Sequence, residues 1–192
     1  MKFIGLDASP EAIAYAHGVG LIDEGLAMDL EASGLPERAQ HVVTKADLIV
    51  STGAVGYVGE KTFSRLLGAF PQEQPPWIAS FVLRAFDYGP ITTALAERGL
   101  VTERFEGATF VQRRFRDLEE YESTLNLLRA SGVDPVGKEA DGLLHAELFV
   151  SRPATEVGRM PLSEVVSLSS GGSPRFRHRF RLVTPSGDEL AA

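Results

Sequence analysis

An α/β fold is what this sequence predicts, and three observations carry that expectation. Short aliphatic and β-branched runs at residues 2–6, 47–50 and 77–83 are separated by stretches of helical character. The clearest helix is marked by Phe63, Leu66, Leu67 and Phe70, an apolar stripe at i, i+3, i+4 and i+7 that Pro71 prevents from continuing. The near-continuous apolarity of residues 77–83 suits a strand covered on both faces. Strands alternating with helices in this way predict a mostly parallel sheet.

Each element has a local cause. The run at 2–6 ends at Asp7, and Ser9-Pro10-Glu11 then provides a capping hydroxyl, a first-turn proline and an acid for a helix whose Ile13 and Ala16 face the core. Gly18 and Gly20 close it, and Leu26-Ala27-Met28 forms a brief apolar run up to Asp29. A polar stretch at 36–45 leads to the strand at 47–50, which opens into Ser51-Thr52-Gly53. Helix 59–70 and strand 77–83 follow, then a helix after Pro90 carrying Ile91, Ala94 and Leu95. Residues 108–115 read as a strand, Asp117 with Glu120 as a capping box for helix 118–130, Gly132 as its end, and 145–152 as the last strand.

The chain has 192 residues, a net charge of −7 and 44% hydrophobic residues, values of a globular protein with a packed core. Its acidity disfavours nucleic acid as a partner. Without cysteine there is no disulfide, thiolate metal site or cysteine nucleophile. Asp7 interrupts the N-terminal apolar run before a signal peptide can form, and no run has the length of a membrane span, so a cytoplasmic location is expected. Residues from 151 onward carry six arginines and four acids, net +2, against 13 basic and 22 acidic residues before them, net −9. The expected division is therefore a body at 1–152 and a tail at 153–192, with a linker-like stretch at 167–174. The alternation at 175–183 sets Arg175, Arg177, Arg179 and Arg181 on one face of an edge strand, and Phe176, His178, Phe180 and Leu182 on the other. A guard against edge pairing explains those arginines better than an RNA stripe on an acidic protein.

In an open α/β sheet, ligands lie outside the carboxyl ends of the strands, which directs attention to Asp7, Asp29 and the loop 51–59. A carboxylate directly after a strand can accept hydrogen bonds from both hydroxyls of a ribose, and Asp7 fits that task. Asp29, with the apolar Leu30 beside it, could hold an adenine amino group while Leu30 covers the ring. The plainer alternatives are that Asp7 caps its helix in place of Ser9, that Asp29 is a solvated loop acid, and that the loop glycines only form turns. Tyr57 and His17 are the nearest titratable side chains, and packing under a loop or exposure on a helix explains them without catalysis. His41 and His145 stand in no metal-ligand spacing, so no metal is expected and no catalytic residue is named.

The stretch Phe3-Ile4-Gly5-Leu6-Asp7-Ala8-Ser9-Pro10-Glu11-Ala12-Ile13-Ala14-Tyr15-Ala16 resembles the second strand and following helix of class I S-adenosylmethionine-dependent methyltransferases, which have a Rossmann-like fold. Asp47-Leu48-Ile49-Val50-Ser51-Thr52-Gly53 similarly resembles that family's fourth strand and the start of its substrate-side loop. The likeness covers residues 3–83 well and 84–152 loosely. It implies S-adenosylmethionine as cofactor, with Asp7 and the adjoining Ala8 at the ribose, Asp29 and Leu30 bracketing the adenine, and Ser51, Thr52 and Gly53 beside the methionine portion and sulfonium. The family's first strand and its Gly-x-Gly loop have no counterpart before Phe3, so the expectation is an N-terminally truncated methyltransferase fold that binds its cofactor weakly. The expected function is methyl transfer to a small-molecule acceptor, with no membrane partner and room for a homo-oligomer. The alternatives are a non-catalytic interaction or regulatory subunit and, less well matched, a nicotinamide-dinucleotide domain.

Overall fold

The computed structural model describes residues 1–166 and 179–184. Two sheets form. The smaller pairs β1 (Ile4–Asp7) with β2 (Glu24–Ala27) in parallel, joined by helix α1 (Pro10–Gly18). Ser9 caps α1 through a hydrogen bond from the Ala12 N–H at 3.1 Å, and Pro10 stands at its first turn. Gly5 and Gly25 lie opposite each other in this pair. A Cβ on Gly5 would come within 2.7 Å of Ile22 Cδ1, and one on Gly25 would collide with Ile13, so both glycines allow the isoleucines to seat on the strands.

After α2 (Glu37–Val43) comes the larger sheet: β3 (Leu48–Thr52), β4 (Trp77–Leu83), β5 (Leu100–Glu106), β6 (Phe110–Arg114), β7 (Leu143–Pro153) and β8 (Arg179–Val183). Its spatial order is β3-β4-β7-β5-β8, with β6 pairing the first half of β7 beyond β5. Helices α3 (Glu60–Leu67) and α4 (Gly89–Ala96) cover one face. Phe63, Leu67, Ile91 and Leu95 meet Ile78 and Val82 there in the main core. On the opposite face Trp77, Phe81, Phe105, Leu148 and Val150 gather beneath Leu162 of the short helix α7 (Leu162–Val165).

The expected parallel sheet is corrected here. Of six strand pairings, β1–β2 and β3–β4 are parallel, and the four made by β7 with β4, β5 and β6 and by β5 with β8 are antiparallel. The reason is β7, an eleven-residue strand that returns against β4 instead of crossing over through a helix. The expected boundary at 152/153 falls inside β7. Beyond it, α6 (Ala154–Val157) and α7 follow and β8 extends the same sheet, so the tail builds onto the body. Within the arginine-rich alternation the strand is Arg179–Val183, at the sheet edge. Residues 175–178 and the linker-like 167–174 lie outside the described residues.

Strand β5 escapes the sequence patterns because Glu103 and Arg104 interrupt its apolar run. Glu103 is buried for one reason: its Oε2 accepts from Arg152 Nε at 2.8 Å across β5 and β7. Arg152, fully buried, also donates to the Met160 carbonyl and lies over the Trp77 ring, 5.3 Å from its centre. Removing one partner of such a pair strands a charge in the core. Glu103→Ala should therefore lower unfolding stability by about 3–5 kcal/mol, measured by urea denaturation; a loss below about 1 kcal/mol would show that Arg152 finds water or another acceptor.

The smaller sheet is the shallower part of the fold, since β1, β2 and α1 contain no buried residue. Hydrogen exchange should be faster across residues 4–27 than across 60–83. Equal protection would mean that both sheets open only with global unfolding.

Candidate functional site

Two adjoining clefts meet at Thr52: the first runs along β1 and β3, from Ile4 and Leu48 to Asp7 and Thr52, and the second lies past the ends of β3 and β4. The first, about 380 Å³, lies between β1 and β3. One wall carries Leu6 and Asp7, the other Val50, Ser51 and Thr52, and Phe63 and Leu66 of α3 form its floor. Its volume falls in the range of small-molecule sites, about 300–1,000 Å³. Asp7 Oδ1 accepts from the Ser9 N–H at 2.8 Å, turning the chain into α1, and the carboxylate has no other partner among the described residues. Capping is done by Ser9, which leaves Asp7 exposed at the mouth of the cleft. Ser51 Oγ is buried and has no hydrogen-bond partner, an unsatisfied hydroxyl on a residue that lines the cleft.

The walls are joined chiefly through the carboxylate of Glu31. Glu31 Oε1 accepts from the Gly59 N–H at 2.8 Å, the Thr62 N–H at 3.0 Å and the Thr62 hydroxyl at 2.6 Å, so it caps the head of α3 from the segment that follows β2. Arg65 reaches back to the Leu30 carbonyl. Burial works against the charged form of Glu31, but the Thr62 hydroxyl, the two backbone N–H groups and Lys61 outweigh it and hold its carboxyl below the usual range.

Of the residues expected at a cofactor, the first cleft brings together Asp7, Ser51 and Thr52. Gly53 turns away into the second cleft, with φ +62° and its N–H on the Phe81 carbonyl at 2.9 Å. Ala8, Asp29 and Leu30 line neither cleft. Asp29 Oδ1 accepts from the N–H groups of Glu31 at 2.8 Å and Ala32 at 3.1 Å, which makes it a turn former. Leu30 is 2% exposed and packs on Val43, Leu66 and Phe70. The expectation that Leu30 covers a ligand ring is corrected: the core between the two sheets takes that side chain.

The second cleft, about 370 Å³, shares Thr52 with the first and is lined further by Tyr57, Phe86, Gln112, Arg113 and Glu120. Tyr57 is 84% exposed on its loop and is not packed beneath it. Gly56, at φ +107°, lets that loop lie against Phe86, whose Cε1 would stand 2.7 Å from any Cβ. The register of β6 against β7 shifts between Val111 and Arg113, leaving Gln112 as the bulged residue. Gln112 Oε1 accepts from the Thr52 hydroxyl at 2.8 Å, which ties β6 to the end of β3. None of Phe86, Gln112, Arg113 or Glu120 stands out as a site residue in the sequence; only Glu120 is marked there, as part of a helix cap.

An adenosyl group needs a two-oxygen acceptor at its ribose and polar lining near its charged end. Asp7 and the unpartnered Ser51 hydroxyl fit those needs, whereas nothing at Leu30 fits the adenine face. Among the described residues no cluster of three or more His, Asp and Glu side chains could hold a metal ion, and no helix is long and apolar enough to cross a membrane.

No family model matches the chain, and no curated protein matches it. Among solved structures it is similar to the O-methyltransferase from the trans-AT PKS multienzyme of Brevibacillus brevis, crystallised in complex with S-adenosyl-L-homocysteine. Identity is 10% and the TM-score 0.40, over 81% of this chain and 60% of that one. The chain thus spans less than two-thirds of that structure's length.

Because Glu31 caps α3 in its ionised form, its lowered pKa stabilises the fold above the unfolded carboxyl value of about 4.3, and that contribution is lost as pH falls through the folded value. Glu31→Ala should cost about 1–2 kcal/mol at pH 7, and that cost should shrink as pH falls below the unfolded carboxyl value and through the lowered folded one. Denaturation curves over a falling pH series are the check, and a cost that does not diminish as the series descends into the acid range would remove the ionised cap.

Proposed function

We propose that the chain is a methyltransferase domain that takes S-adenosylmethionine in the first cleft and a small-molecule acceptor in the second. The observation that carries this reading is the convergence of Asp7 of β1 and Ser51 of β3, strands of the two different sheets, on one cleft that meets a second at Thr52. S-adenosylmethionine, when bound, supplies a methyl group on a positively charged sulfur. Asp7 would accept from the ribose hydroxyls, and Ser51 would give its hydroxyl a partner it lacks within the fold. Thr52, held by Gln112, stands where the clefts meet and would set the approach of an acceptor to the methyl group. In-line transfer draws most of its rate from such proximity and orientation. Glu120, kept ionised down to about pH 2 chiefly by its hydrogen bonds from Arg113 and the Arg116 N–H, is a weak base and is given no proton-transfer step.

A second reading, a non-catalytic interaction subunit, is favoured by one observation. Among the described residues, β1 pairs only with β2 and β3 only with β4, while Leu48 and Val50 of β3 are 50% and 56% exposed. Edges and apolar side chains left in this state invite another polypeptide.

Calorimetry with S-adenosylhomocysteine separates the two. Asp7→Asn should weaken binding by about 1.5–3 kcal/mol, and Asp29→Asn should leave it unchanged. Equal affinities for the parent and Asp7→Asn would take Asp7 out of the site, and no binding at millimolar ligand would favour the interaction subunit.

A further inference from the structure

The second cleft is polar and partly aromatic, yet its charges are occupied by each other. Arg113 and Glu120 form a two-pronged pair, Nη2 to Oε1 at 2.6 Å and Nη1 to Oε2 at 2.9 Å. Arg113 Nη1 also donates to the Arg114 carbonyl at 3.0 Å, and Glu120 Oε2 also accepts from the Arg116 N–H at 2.7 Å. Arg116, next along the chain, holds Asp117 at 2.6 Å. A ligand here therefore meets hydroxyls, an amide and the rings of Tyr57 and Phe86, with the guanidinium fork of Arg113 already filled.

We propose that this cleft selects an uncharged, hydroxylated aromatic or similarly flat acceptor, and that Glu120 determines this specificity by occupying Arg113. An incoming carboxylate would surrender its water without gaining a cation, whereas a neutral amide or phenol pays much less for the same burial. Freeing the fork reverses the balance, because a guanidinium recognises a carboxylate through two charge-assisted hydrogen bonds. The role of the cleft as acceptor site rests on the methyl-transfer reading above; its preference for neutral ligands does not.

The test compares two ligands of nearly the same shape, 4-hydroxybenzamide and 4-hydroxybenzoate, titrated into the whole chain without cofactor and followed by protein NMR. The parent should bind the amide at least about tenfold more tightly than the benzoate. In Glu120→Gln that ratio should collapse or invert, because Arg113 is released. Arg113→Gln, which leaves the Glu120 carboxylate unpaired at the cleft wall, should raise the ratio above the parent's and serves as the independent variant if Glu120→Gln does not fold. An equal or benzoate-favouring parent, a ratio unmoved in both folded variants, or no shift of cleft resonances by either ligand would overturn the proposal. Amide selectivity without S-adenosylhomocysteine binding would leave it standing and sink the methyl-transfer reading alone.

Discussion

The carboxylate of Glu31 holds the two sheets in their relation, and the first cleft depends on it. No strand ladder joins β1–β2 to β3: apart from Arg65 donating to the Leu30 carbonyl, contact between them is side-chain packing of Leu6, Leu26 and Leu30 against Ile49, Leu66 and Phe70. Packing of this kind is non-directional and tolerates sliding. Three hydrogen bonds from Gly59 and Thr62 to one carboxylate do not, and they fix the segment after β2 to the head of α3.

Strand β7 plays the corresponding part for the second cleft. It pairs with β4 along one side and with β5 and then β6 along the other, so its backbone groups are met on both edges. That arrangement brings β6 within reach of β3, although β4 and β7 lie between them in the sheet order. The bulge at Gln112 completes the connection to Thr52. A ladder hydrogen bond is given up at one position, and a side chain is aimed across the end of the sheet.

Local signals served well wherever they reported local causes. Ser9 caps α1 and Asp117 caps α5 (Leu118–Ala130), the stripe at Phe63, Leu66, Leu67 and Phe70 is buried, and β4 occupies Trp77–Leu83 as its apolarity implies. They failed where a long-range partner changed the meaning of a residue. Glu103 interrupts the apolar run of β5 and Arg152 stands at the end of the expected strand 145–152, yet each makes the other's burial possible, and β5 becomes an interior strand. Asp29 and Leu30 look like ligand contacts at a strand end, but the core claims one side chain and a turn the other.

By itself the sequence determined the starts of α1, α3, α4 and α5 and the placement of Asp7 and Ser51 at or near strand ends, because capping, periodicity and chain reversal act over a few residues; α2, which lies in the polar stretch 36–45, it did not mark. Only the tertiary structure decided that the larger sheet is mainly antiparallel, that Glu31 ties the two sheets, and that Gln112, Arg113 and Glu120 gather beside Thr52. These depend on hydrogen bonds between groups far apart in the chain, Glu31 to Thr62 and Thr52 to Gln112 among them, and no local pattern encodes which distant donor a given oxygen will meet.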